Sequence, residues 1–559
     1  MQKHLIIIGG VAAGTKAAAK ARRESPDLKI TLYTESQYIS YSACGMPYYI
    51  EDLIKDEKKL IVRTPEYFKE KENIDIHIKH KVTRILPEEH KVEVENLETG
   101  EKFFDEYSKL LIATGSKAFI PDIEGVKLQN VFVLKDIEDA VEIKKNLKNS
   151  KKVVIVGGGY IGLELLESFQ AYGVDLTMID RSEQILNSFD LDISSHIQKY
   201  LIEEKNINII TNESLKKLIG NDSGFVKQVE TSEGKLIDSD MVILALGVRP
   251  NIELAKDAGI EIGEKGAIKV NERMQTNFPH IFAAGDCVET INTVTGKSAW
   301  IPLGSTANKM GRIAAINITG GYEEFRGILG SMVVKIFDYT ASKTGLSEKE
   351  AKDLGYDYVL AILMHRDKSG YMPDTQEITI KMIAEKDSGR LLGAQVIGKG
   401  DADKRVNVVA AALTANMTVK EFMGIDLTYA PPYSPSIDPI LVAAQILYSK
   451  LSKEVGSITP EELQKYLEKK EKASIIDIRT PVEFKAWHIE NSQNIHVDDL
   501  EEKIGQKNRE IILCCEGGME SYLSVLRLIE KGYQNIKFVD GGVNFFKNTY
   551  GFLQERPST

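Results

Sequence analysis

KKVVIVGGGYIGLELLESFQAYGVDLTMID, residues 151–180, is the stretch of sequence that decides the fold. An apolar run, a glycine-rich turn, a helix-forming segment and a second apolar run predict strand, turn, helix and strand. Gly157, Gly159 and Gly162 complete the pattern G-x-G-x-x-G. These glycines permit a tight turn, the close approach of a pyrophosphate, and close packing of the helix on the strand. Asp180 ends the second strand, where a carboxylate suits ribose hydroxyls, so the stretch predicts a dinucleotide site.

The first 35 residues repeat this unit in a weaker form. LIIIGG predicts a strand, Gly14 to Arg23 a helix, and LKITLYTE the next strand. In the turn GGVAAG (9–14), Val11 replaces the middle glycine. The ribose acid is expected at Glu35, although the register also fits Thr34. Two copies of the unit predict two nucleotide sites, and the residues expected around the first are Gly9, Gly10, Ala13 and Gly14.

Length, charge and cysteine content limit the class of protein. A chain of 559 residues is too long for one core and predicts several domains. A formal net charge of -11 argues against a nucleic-acid or anionic-membrane partner. No apolar run approaches the roughly 18 residues of a membrane span. The four cysteines (Cys44, Cys287, Cys514 and Cys515) do not form a disulfide scaffold, which favours a reducing, cytoplasmic setting; no metal site is predicted.

Two further segments favour a flavoprotein. IATGS (112–116) ends a strand at Thr114 and Gly115, and TNFPHIFAAGD (276–286) ends one at Gly285 and Asp286. With the two turns, these segments resemble the flavoprotein disulfide reductases that have two dinucleotide-binding domains. The resemblance implies FAD at the first Rossmann unit, with Asp286 on a ribityl or ribose hydroxyl. It implies NADH or NADPH at the second unit, where Gly247 is also assigned.

The segment ISYSACGMPYYI (39–50) places Cys44 just after the second strand of the FAD unit. Positions 39 and 49 are Ile and Tyr, so Cys44 has no resolving cysteine nearby. A lone thiolate must store oxidation as a sulfenic acid, a persulfide or a mixed disulfide with a small thiol. The segment most resembles coenzyme A-disulfide reductases and their CoA-persulfide and polysulfide reductase relatives, over roughly residues 1–450. Ala43 stands where several members carry an asparagine that touches the ligand, which leaves the thiol carrier open.

This resemblance implies further site residues and a homodimer. Tyr371 and Tyr429 match tyrosines that extend across the dimer interface towards the cysteine, and Tyr433 competes for the same role. A phenol there could protonate a leaving thiolate. Coenzyme A needs cations for its phosphates, and the helix after the first turn supplies them. The residues expected to line the CoA channel are Lys16, Lys20, Arg23 and Ser40; a solvated basic face explains this helix equally well.

Residues 471–559 carry a second set of matches. IIDIRTPVEFKAWHIENSQNIHV resembles the opening of rhodanese domains, and LCCEGGMES resembles their active-site loop, with Cys515 at the nucleophile position. Loop amides before a helix N-terminus are expected to lower the pKa of this thiol and to cradle a persulfide. Cys514 is predicted to face the core. Glu520 replaces the usual arginine and Glu516 adds a second anion, which should repel thiosulfate.

The predicted fold is α/β, with two Rossmann-type, glutathione-reductase-like domains, an α+β dimerisation domain and a C-terminal α/β rhodanese domain. The predicted segments are an FAD-binding domain (1–118 and 248–325), an NAD(P)H-binding domain (119–247), a dimerisation domain (326–450), a linker (451–463) and a rhodanese-like domain (464–559).

The predicted activity is FAD-dependent reduction of CoA persulfide, polysulfides or CoA disulfide by NAD(P)H through Cys44, coupled to sulfur transfer at Cys515. One alternative is an NADH oxidase or peroxidase that cycles Cys44 as a sulfenic acid, although the turn VAAG lacks the histidine that family peroxidases carry. Another alternative is a persulfide carrier or redox sensor without turnover, which would need neither nucleotide motif. The sequence does not rank these substrates, or NADH against NADPH.

Overall fold

The computed structural model describes residues 3–453, 455–469, 473–505 and 507–555. The chain forms two compact units. The first comprises residues up to Arg181 together with Glu213–Ile328, and the second comprises Ser182–Asn212 and the chain from Leu329 onwards. Within the described ranges, no helix combines the length and apolarity that crossing a bilayer requires.

The helices and strands follow one another in mixed α/β order along the whole chain. Up to Ala118 they are β1 (His4–Ile8), α1 (Ala12–Glu24), β2 (Lys29–Tyr33), α2 (Met46–Ile50), α3 (Pro65–Glu72), β3 (Asp75–His77), β4 (His80–Leu86), β5 (Lys91–Asn96), β6 (Lys102–Glu106), β7 (Lys109–Ile112) and β8 (Ser116–Ala118). From Val131 to Ile318 they are β9 (Val131–Phe132), α4 (Ile137–Leu147), β10 (Lys152–Val156), α5 (Tyr160–Gln170), β11 (Asp175–Ile179), α6 (Leu191–Glu203), β12 (Asn208–Ile210), β13 (Leu215–Gly220), β14 (Val226–Thr231), β15 (Leu236–Asp238), β16 (Met241–Leu244), β17 (Val248–Pro250), α7 (Glu253–Asp257), β18 (Ile281–Ala283), β19 (Thr290–Ile291), β20 (Ser298–Ala299) and α8 (Gly304–Ile318).

The remaining elements begin after Leu329. The first group is β21 (Met332–Ile336), β22 (Tyr339–Gly345), α9 (Glu348–Asp353), β23 (Tyr358–Arg366), β24 (Glu377–Glu385), β25 (Leu391–Gly398), α10 (Ala402–Thr414), α11 (Val419–Met423) and α12 (Pro439–Leu451). The last group is β26 (Gly456–Ile458), α13 (Pro460–Glu468), β27 (Ser474–Asp477), α14 (Pro481–Ala486), β28 (Gln493–Asn494), α15 (Leu500–Lys503), β29 (Ile511–Cys514), α16 (Met519–Glu530), β30 (Ile536–Val539), α17 (Gly542–Phe546) and α18 (Phe552–Glu555).

The first unit contains both predicted Rossmann-type sheets. One is parallel with strand order β18-β7-β1-β2-β3, and in the other β11, β10, β16 and β9 are neighbours in parallel. Strands β1 and β10 are buried along nearly all of their length, as expected for central parallel strands with helices on both faces. Because the carboxyl ends of parallel strands share one edge, the glycine turns after β1 and β10 each open at such an edge.

The second unit contains two sheets of different kinds. The strands β21-β22-β25-β24-β23 form an antiparallel sheet, and the strands β26-β30-β29-β27-β28 form a parallel one. The structure differs from the predicted linker 451–463 at Gly456–Ile458, because this stretch pairs in parallel with β30 as the edge strand β26. The segment Ser182–Asn212, predicted within the NAD(P)H-binding domain, belongs to this second unit.

The second unit also contains a buried cluster of charges. Lys381 of β24 is 1% exposed, and its ammonium group lies 2.8 Å from Asp192, 3.2 Å from Asp190 and 2.7 Å from Glu348. Burial is the largest single influence on Lys381 and lowers its pKa, but the three carboxylates together outweigh it and raise the pKa well above its ordinary value. The cluster joins α6 and the start of α9 to the antiparallel sheet, and Lys381 is the cation that all three acids share.

We expect Lys381→Met to destabilise the second unit by about 3–5 kcal/mol, because it leaves buried carboxylates without their cation. Lys386→Met is the matched control. It removes an exposed ion pair, 3.2 Å from Asp357, and should cost about 1 kcal/mol or less. Urea unfolding followed by circular dichroism measures both variants. Equal unfolding midpoints for the two would contradict this role of the cluster.

Candidate active site

Three predicted FAD motifs meet at the carboxyl edge of the first parallel sheet. A Cβ at Gly9, where φ is +109°, would lie 2.1 Å from the carbonyl oxygen of Ala113, so only glycine fits this approach. A Cβ at Gly14 would lie 1.9 Å from the Gly9 carbonyl oxygen, and one at Gly285 would lie 2.9 Å from Ala13. The turn after β1, the end of β7 and the end of β18 therefore touch through their backbones.

Asp286 is held in this edge by two neighbours that the sequence did not single out. The hydroxyl of Ser116 donates to its carboxylate at 3.1 Å, and the ammonium group of Lys135 donates to the Ser116 hydroxyl at 3.0 Å. The indole of Trp300 donates to the Asp286 carbonyl at 2.8 Å. Thr114 donates instead to the Asn251 carbonyl at 2.7 Å. The carboxylate is thereby fixed at a site that suits a flavin hydroxyl.

The second nucleotide turn has the geometry that its glycines predict. A Cβ at Gly157 would lie 2.3 Å from the Ala245 carbonyl oxygen and one at Gly162 would lie 2.1 Å from the Gly157 carbonyl oxygen, whereas Gly159 and Gly247 face open space. The buried carboxylate of Asp180 accepts from the amide of Gly158 at 2.7 Å. The second glycine cradle thus fits a dinucleotide, with close packing behind the turn and open space in front of it, and the first cradle shares the close packing behind its turn.

In the FAD unit, the backbone register places Thr34, and not Glu35, at the position that Asp180 has in the second unit. Gly9 N donates to the Tyr33 carbonyl at 2.9 Å, as Gly157 N does to the Ile179 carbonyl at 2.8 Å. Thr34 is therefore the equivalent of Asp180, and Glu35 lies one residue later. The Glu35 side chain is exposed and pairs with Lys81 at 3.0 Å. A ribose contact by Glu35 stays a prediction that this salt bridge does not favour.

Cys44 lies on a short 3₁₀ turn, Ala43–Gly45, directly before α2. Three contacts tie α2 to the helices of the nucleotide domain. The buried Lys144 of α4 donates to the Tyr49 carbonyl at 2.6 Å and pairs with Asp52 at 2.7 Å. Ser168 of α5 donates to the Pro47 carbonyl at 2.9 Å, and Tyr172, two residues after the end of α5, donates to the Ile50 carbonyl at 2.8 Å. The segment that carries the thiol is thus anchored to both helices that flank strand β10.

Two charged side chains near Cys44 were missed by the sequence analysis. The Cys44 side chain is exposed, yet partial burial of the thiol, followed by the charges of Glu164 and Asp286, raises its pKa, and Lys135 acts in the opposite direction. Burial raises the pKa of Glu164 itself to about 7. Glu164 follows Gly162 by two residues, and the pattern G-x-G-x-x-G gives it no role. No motif could have indicated Lys135.

The predicted CoA-binding residues lie on and beside α1. Lys16 and Arg23 are exposed, and Lys20 pairs with Glu24 one turn later. Spacings of four and three residues place the three cations on one face of the helix. Ser40 has φ +47° and its amide donates to the Gly10 carbonyl at 2.8 Å, so it adjoins the glycine turn. Their contact with coenzyme A stays a prediction.

The candidate tyrosines lie in the second unit on exposed loops. Tyr371, Tyr429 and Tyr433 are 74%, 52% and 66% exposed. Three large aromatic side chains in solvent are the composition expected of a surface that a partner covers. Their roles stay predictions, and exposure alone does not separate Tyr429 from Tyr433.

The rhodanese-like loop surrounds Cys515 with backbone groups. The amide and the hydroxyl of Ser521 both lie 3.3 Å from the Cys515 sulfur. Gly542 approaches this loop so closely that a Cβ would lie 2.5 Å from the Cys515 carbonyl oxygen. The loop also pairs with the antiparallel sheet, because the Met364 amide donates to the Gly517 carbonyl at 3.2 Å. The result is a rigid pocket around a thiol that is 2% exposed.

The expected lowering of the Cys515 pKa was wrong. Burial is the largest influence and raises the pKa of the thiol, while the hydroxyl and amide of Ser521 and the amide of Gly518 lower it by less. Glu520 adds a further upward shift. The amides act in the expected direction, but desolvation outweighs them. Cys514 faces the core as predicted, with no exposed surface.

The chain belongs to the pyridine nucleotide-disulphide oxidoreductase family, whose model matches residues 3–311. A pyridine nucleotide-disulphide oxidoreductase dimerisation domain matches residues 331–439, and a rhodanese-like domain matches residues 459–549. The predicted fold class is therefore confirmed.

Several characterised proteins resemble the reductase part. The NAD(P)H coenzyme A polysulfide/persulfide reductase of Pyrococcus horikoshii is 39% identical over 450 residues, which cover 80% of this chain and 99% of that protein. The coenzyme A disulfide reductase of Staphylococcus epidermidis is 32% identical over 439 residues, covering 78% of this chain and 98% of that protein. A protein named NADH oxidase from Methanocaldococcus jannaschii is 38% identical over 450 residues, with 80% and 99% coverage.

Two solved structures match the chain through its C-terminal part as well. Reduced CoADR-RHD of Bacillus anthracis superposes with a TM-score of 0.95 at 33% identity, covering 100% of this chain and 99% of that one. The NAD-dependent persulfide reductase of A. fulgidus superposes with a TM-score of 0.91 at 34% identity, with 97% and 99% coverage.

We expect Glu164→Gln to lower the pKa of the Cys44 thiol, because it removes an anion that opposes thiolate formation. The measurement is the pH dependence of Cys44 alkylation in the FAD-loaded protein, with the modified peptide quantified by mass spectrometry. Glu70→Gln, on the exposed surface of α3, is the control and should leave the profile unchanged. If the pH profiles of Cys44 alkylation were identical in both variants and the wild type, Glu164 would have no influence on the pKa of the thiol.

Proposed function

We propose that this chain is an FAD-dependent NAD(P)H reductase of CoA persulfide, polysulfides and CoA disulfide, with a sulfur-transfer site at Cys515. The observation that carries the proposal is the position of Cys44. Among the four cysteines, all of them in described parts of the chain, it alone is exposed. It lies next to the FAD cradle and is anchored to the helix that opens with the second glycine turn. The named relatives support the choice of substrate.

The residues of the first unit suit two nucleotides. The turn 9–14, Thr114, Gly115 and Asp286 would hold FAD, and the turn 157–162 with Asp180 and Gly247 would hold NAD(P)H. When bound, FAD would supply a two-electron path from the pyridine nucleotide to the thiol. Cys44 lies between the two cradles, and its exposed side chain leaves room for a substrate to approach the sulfur.

The thiolate of Cys44 would attack the sulfur of CoA persulfide or disulfide that is attached to the pantetheine arm. The sulfur–sulfur bond of the substrate breaks, a mixed disulfide between Cys44 and coenzyme A forms, and hydrosulfide or a CoA thiolate leaves. Two electrons and one proton then restore the Cys44 thiolate and release coenzyme A as a thiol. Tyr371 or Tyr429 of a partner subunit would donate the proton to the leaving sulfur. Lys16, Lys20, Arg23 and Ser40 would hold the nucleotide end of coenzyme A.

Oxygen reduction is the second candidate activity, because a relative of similar identity is named NADH oxidase. In that reaction Cys44 would cycle through a sulfenic acid. The rhodanese-like domain favours sulfur chemistry, since an oxidase has no use for a persulfide-forming loop. The predicted segment boundaries remain part of the proposal except for the rhodanese-like segment, which is proposed to begin at β26 and not at residue 464.

We expect Cys44→Ser to abolish turnover of persulfide and disulfide substrates while FAD remains reducible by NAD(P)H. The serine hydroxyl cannot store the two oxidation equivalents that a thiolate stores. Stopped-flow spectroscopy follows flavin bleaching and substrate turnover in one experiment. Cys287→Ser is the control. Cys287 is buried, and this variant should keep its turnover of persulfide and disulfide substrates. Sustained disulfide reduction by Cys44→Ser would show that the electrons leave by another route.

The nucleotide preference should favour NADH. The carboxylate of Asp180, fixed by the Gly158 amide, suits free ribose hydroxyls and would repel a 2′-phosphate. The adjacent Arg181 is exposed and could partly offset that repulsion. We expect kcat/KM to be about tenfold or more higher with NADH, and Asp180→Ser to narrow the ratio. A tenfold preference for NADPH in the wild type would contradict this assignment.

The protein should be a homodimer with composite active sites. The match to a family dimerisation domain and the exposed tyrosines on its loops support this prediction. Sedimentation velocity at decreasing concentration measures the state, with activity assayed on the same samples. A monomer that stays fully active on dilution would rule out a contribution from a partner's tyrosine.

A further inference from the structure

The environment of Cys515 contains more negative charge than the loop sequence alone indicates. Glu516 follows the nucleophile directly, and Glu520 precedes Ser521, the residue whose amide and hydroxyl touch the Cys515 sulfur at 3.3 Å. Two carboxylates thus follow the thiol within five residues of the chain. Glu516 is steadied by Asn544, which donates to its carboxylate at 3.4 Å and to its carbonyl at 3.0 Å.

Two further carboxylates act on this loop from other segments. Burial is the largest influence on the pKa of Glu520 and raises it, whereas His496 lowers it. Glu483 of α14 and Asp498 of the turn after β28 raise this pKa further, together with Glu516. On the side of the antiparallel sheet, Glu377 interacts with Glu516 in the same unfavourable way. We call Glu483, Asp498, Glu516 and Glu520 the acidic collar. Three separate stretches of chain contribute to it.

The basic side chains near the acidic collar are each held by a carboxylate. His496 lies 3.4 Å from Asp498, a member of the collar, and Arg366 offsets the charge of Glu377. Arg479 is buried, and its guanidinium donates to Asp477 at 2.7 Å and to the Trp487 carbonyl at 2.7 Å. Glu520 occupies the loop position where a guanidinium would bind an anionic donor.

Apolar side chains are exposed on α14 and α16, the helices that carry Glu483 and Glu520. Val482, next to Glu483, is 78% exposed, and Leu523, three residues after Glu520, is 40% exposed. Residues three apart share one face of a helix, so Leu523 adjoins the Glu520 position. An uncharged aliphatic arm could contact such surface at no electrostatic cost, whereas a small anion would be repelled by the carboxylates of the collar.

We infer that the acidic collar makes Cys515 selective for persulfides on an uncharged thiol arm and excludes donors with an anion beside the transferred sulfur, such as thiosulfate. The inference rests on the proposed sulfur transfer at Cys515. In that step the Cys515 thiolate attacks the outer sulfur of R–S–SH, the sulfur–sulfur bond breaks, R–S⁻ leaves, and Cys515 becomes a persulfide. The pantetheine arm of coenzyme A meets this requirement because its phosphates are remote from the sulfur.

Two persulfides that differ only in one terminal group test the inference. The persulfide of 2-mercaptoethanol ends in a hydroxyl, and that of 2-mercaptoethanesulfonate ends in a sulfonate two carbons from the sulfur. Each is mixed briefly with the full-length, FAD-loaded Cys44→Ser protein, and the Cys515 peptide is alkylated and quantified by mass spectrometry. Removal of Cys44 confines the reaction to the rhodanese-like site, and Cys515→Ser gives the background.

We expect Cys515 to load about tenfold faster from the hydroxyl donor than from the sulfonate donor. Glu520→Gln should reduce this ratio about threefold, and Glu520→Arg should bring it close to one and raise loading from thiosulfate about tenfold. Glu530→Arg, an equal charge change at the exposed far end of α16, is the matched control and should leave the ratio unchanged.

Three results would overturn the inference. If Cys515 loaded equally fast from both donors when the collar is unsubstituted, the proposed selectivity would be wrong, whereas sulfur transfer at Cys515 would stand. A Glu520→Arg ratio equal to that of Glu530→Arg would assign any selectivity to something other than the collar. Loading no faster than the Cys515→Ser background with either donor would overturn the sulfur-transfer role itself.

Discussion

The buried ammonium group of Lys144 ties α2, the helix directly after Cys44, to the nucleotide-binding part of the first unit. Lys144 donates to the Tyr49 carbonyl, pairs with Asp52 and lies 3.9 Å from the centre of the Tyr49 ring. The hydrogen bonds from Ser168 and Tyr172 act on the same short helix from a second direction. A helix of five residues has little stability of its own, so these contacts hold it in place. The position of Cys44, directly before this helix, depends on them.

The backbone of the nucleotide sites could be predicted from the sequence because steric limits act locally. Only glycine fits where a Cβ would meet a carbonyl oxygen at about 2 Å, so Gly9 and Gly157 identify their turns in any sequence. The register at Thr34 and Glu35 could not be predicted, since it depends on where β2 ends. Lys135, Ser116 and Glu164 were missed because they meet Cys44 and Asp286 only through the packing of distant segments.

The two sulfur sites differ in how the protein controls the thiol. Burial is the largest influence on the pKa of both thiols. Cys44 is exposed and is acted on further by the charges of Glu164, Asp286 and Lys135, whereas Cys515 is enclosed and is acted on further by the groups of its own loop. The amide cradle of Cys515 was predictable from its motif, but the net effect on the pKa was not, because burial is a property of the folded loop. An exposed thiol suits a bulky carrier such as coenzyme A. An enclosed thiol suits transfer of a single sulfur atom from the end of a narrow arm.

The central claim is that Cys44 exchanges with a coenzyme A thiol rather than with oxygen. It is tested most directly by mass spectrometry of the Cys44 peptide after the FAD-loaded protein is mixed with CoA disulfide and quenched by alkylation of free thiols. The account predicts a coenzyme A adduct on Cys44 that disappears when NADH is added. A Cys44 peptide that never carries coenzyme A, but gains one oxygen atom as a sulfenic acid when NADH and oxygen are supplied, would contradict it.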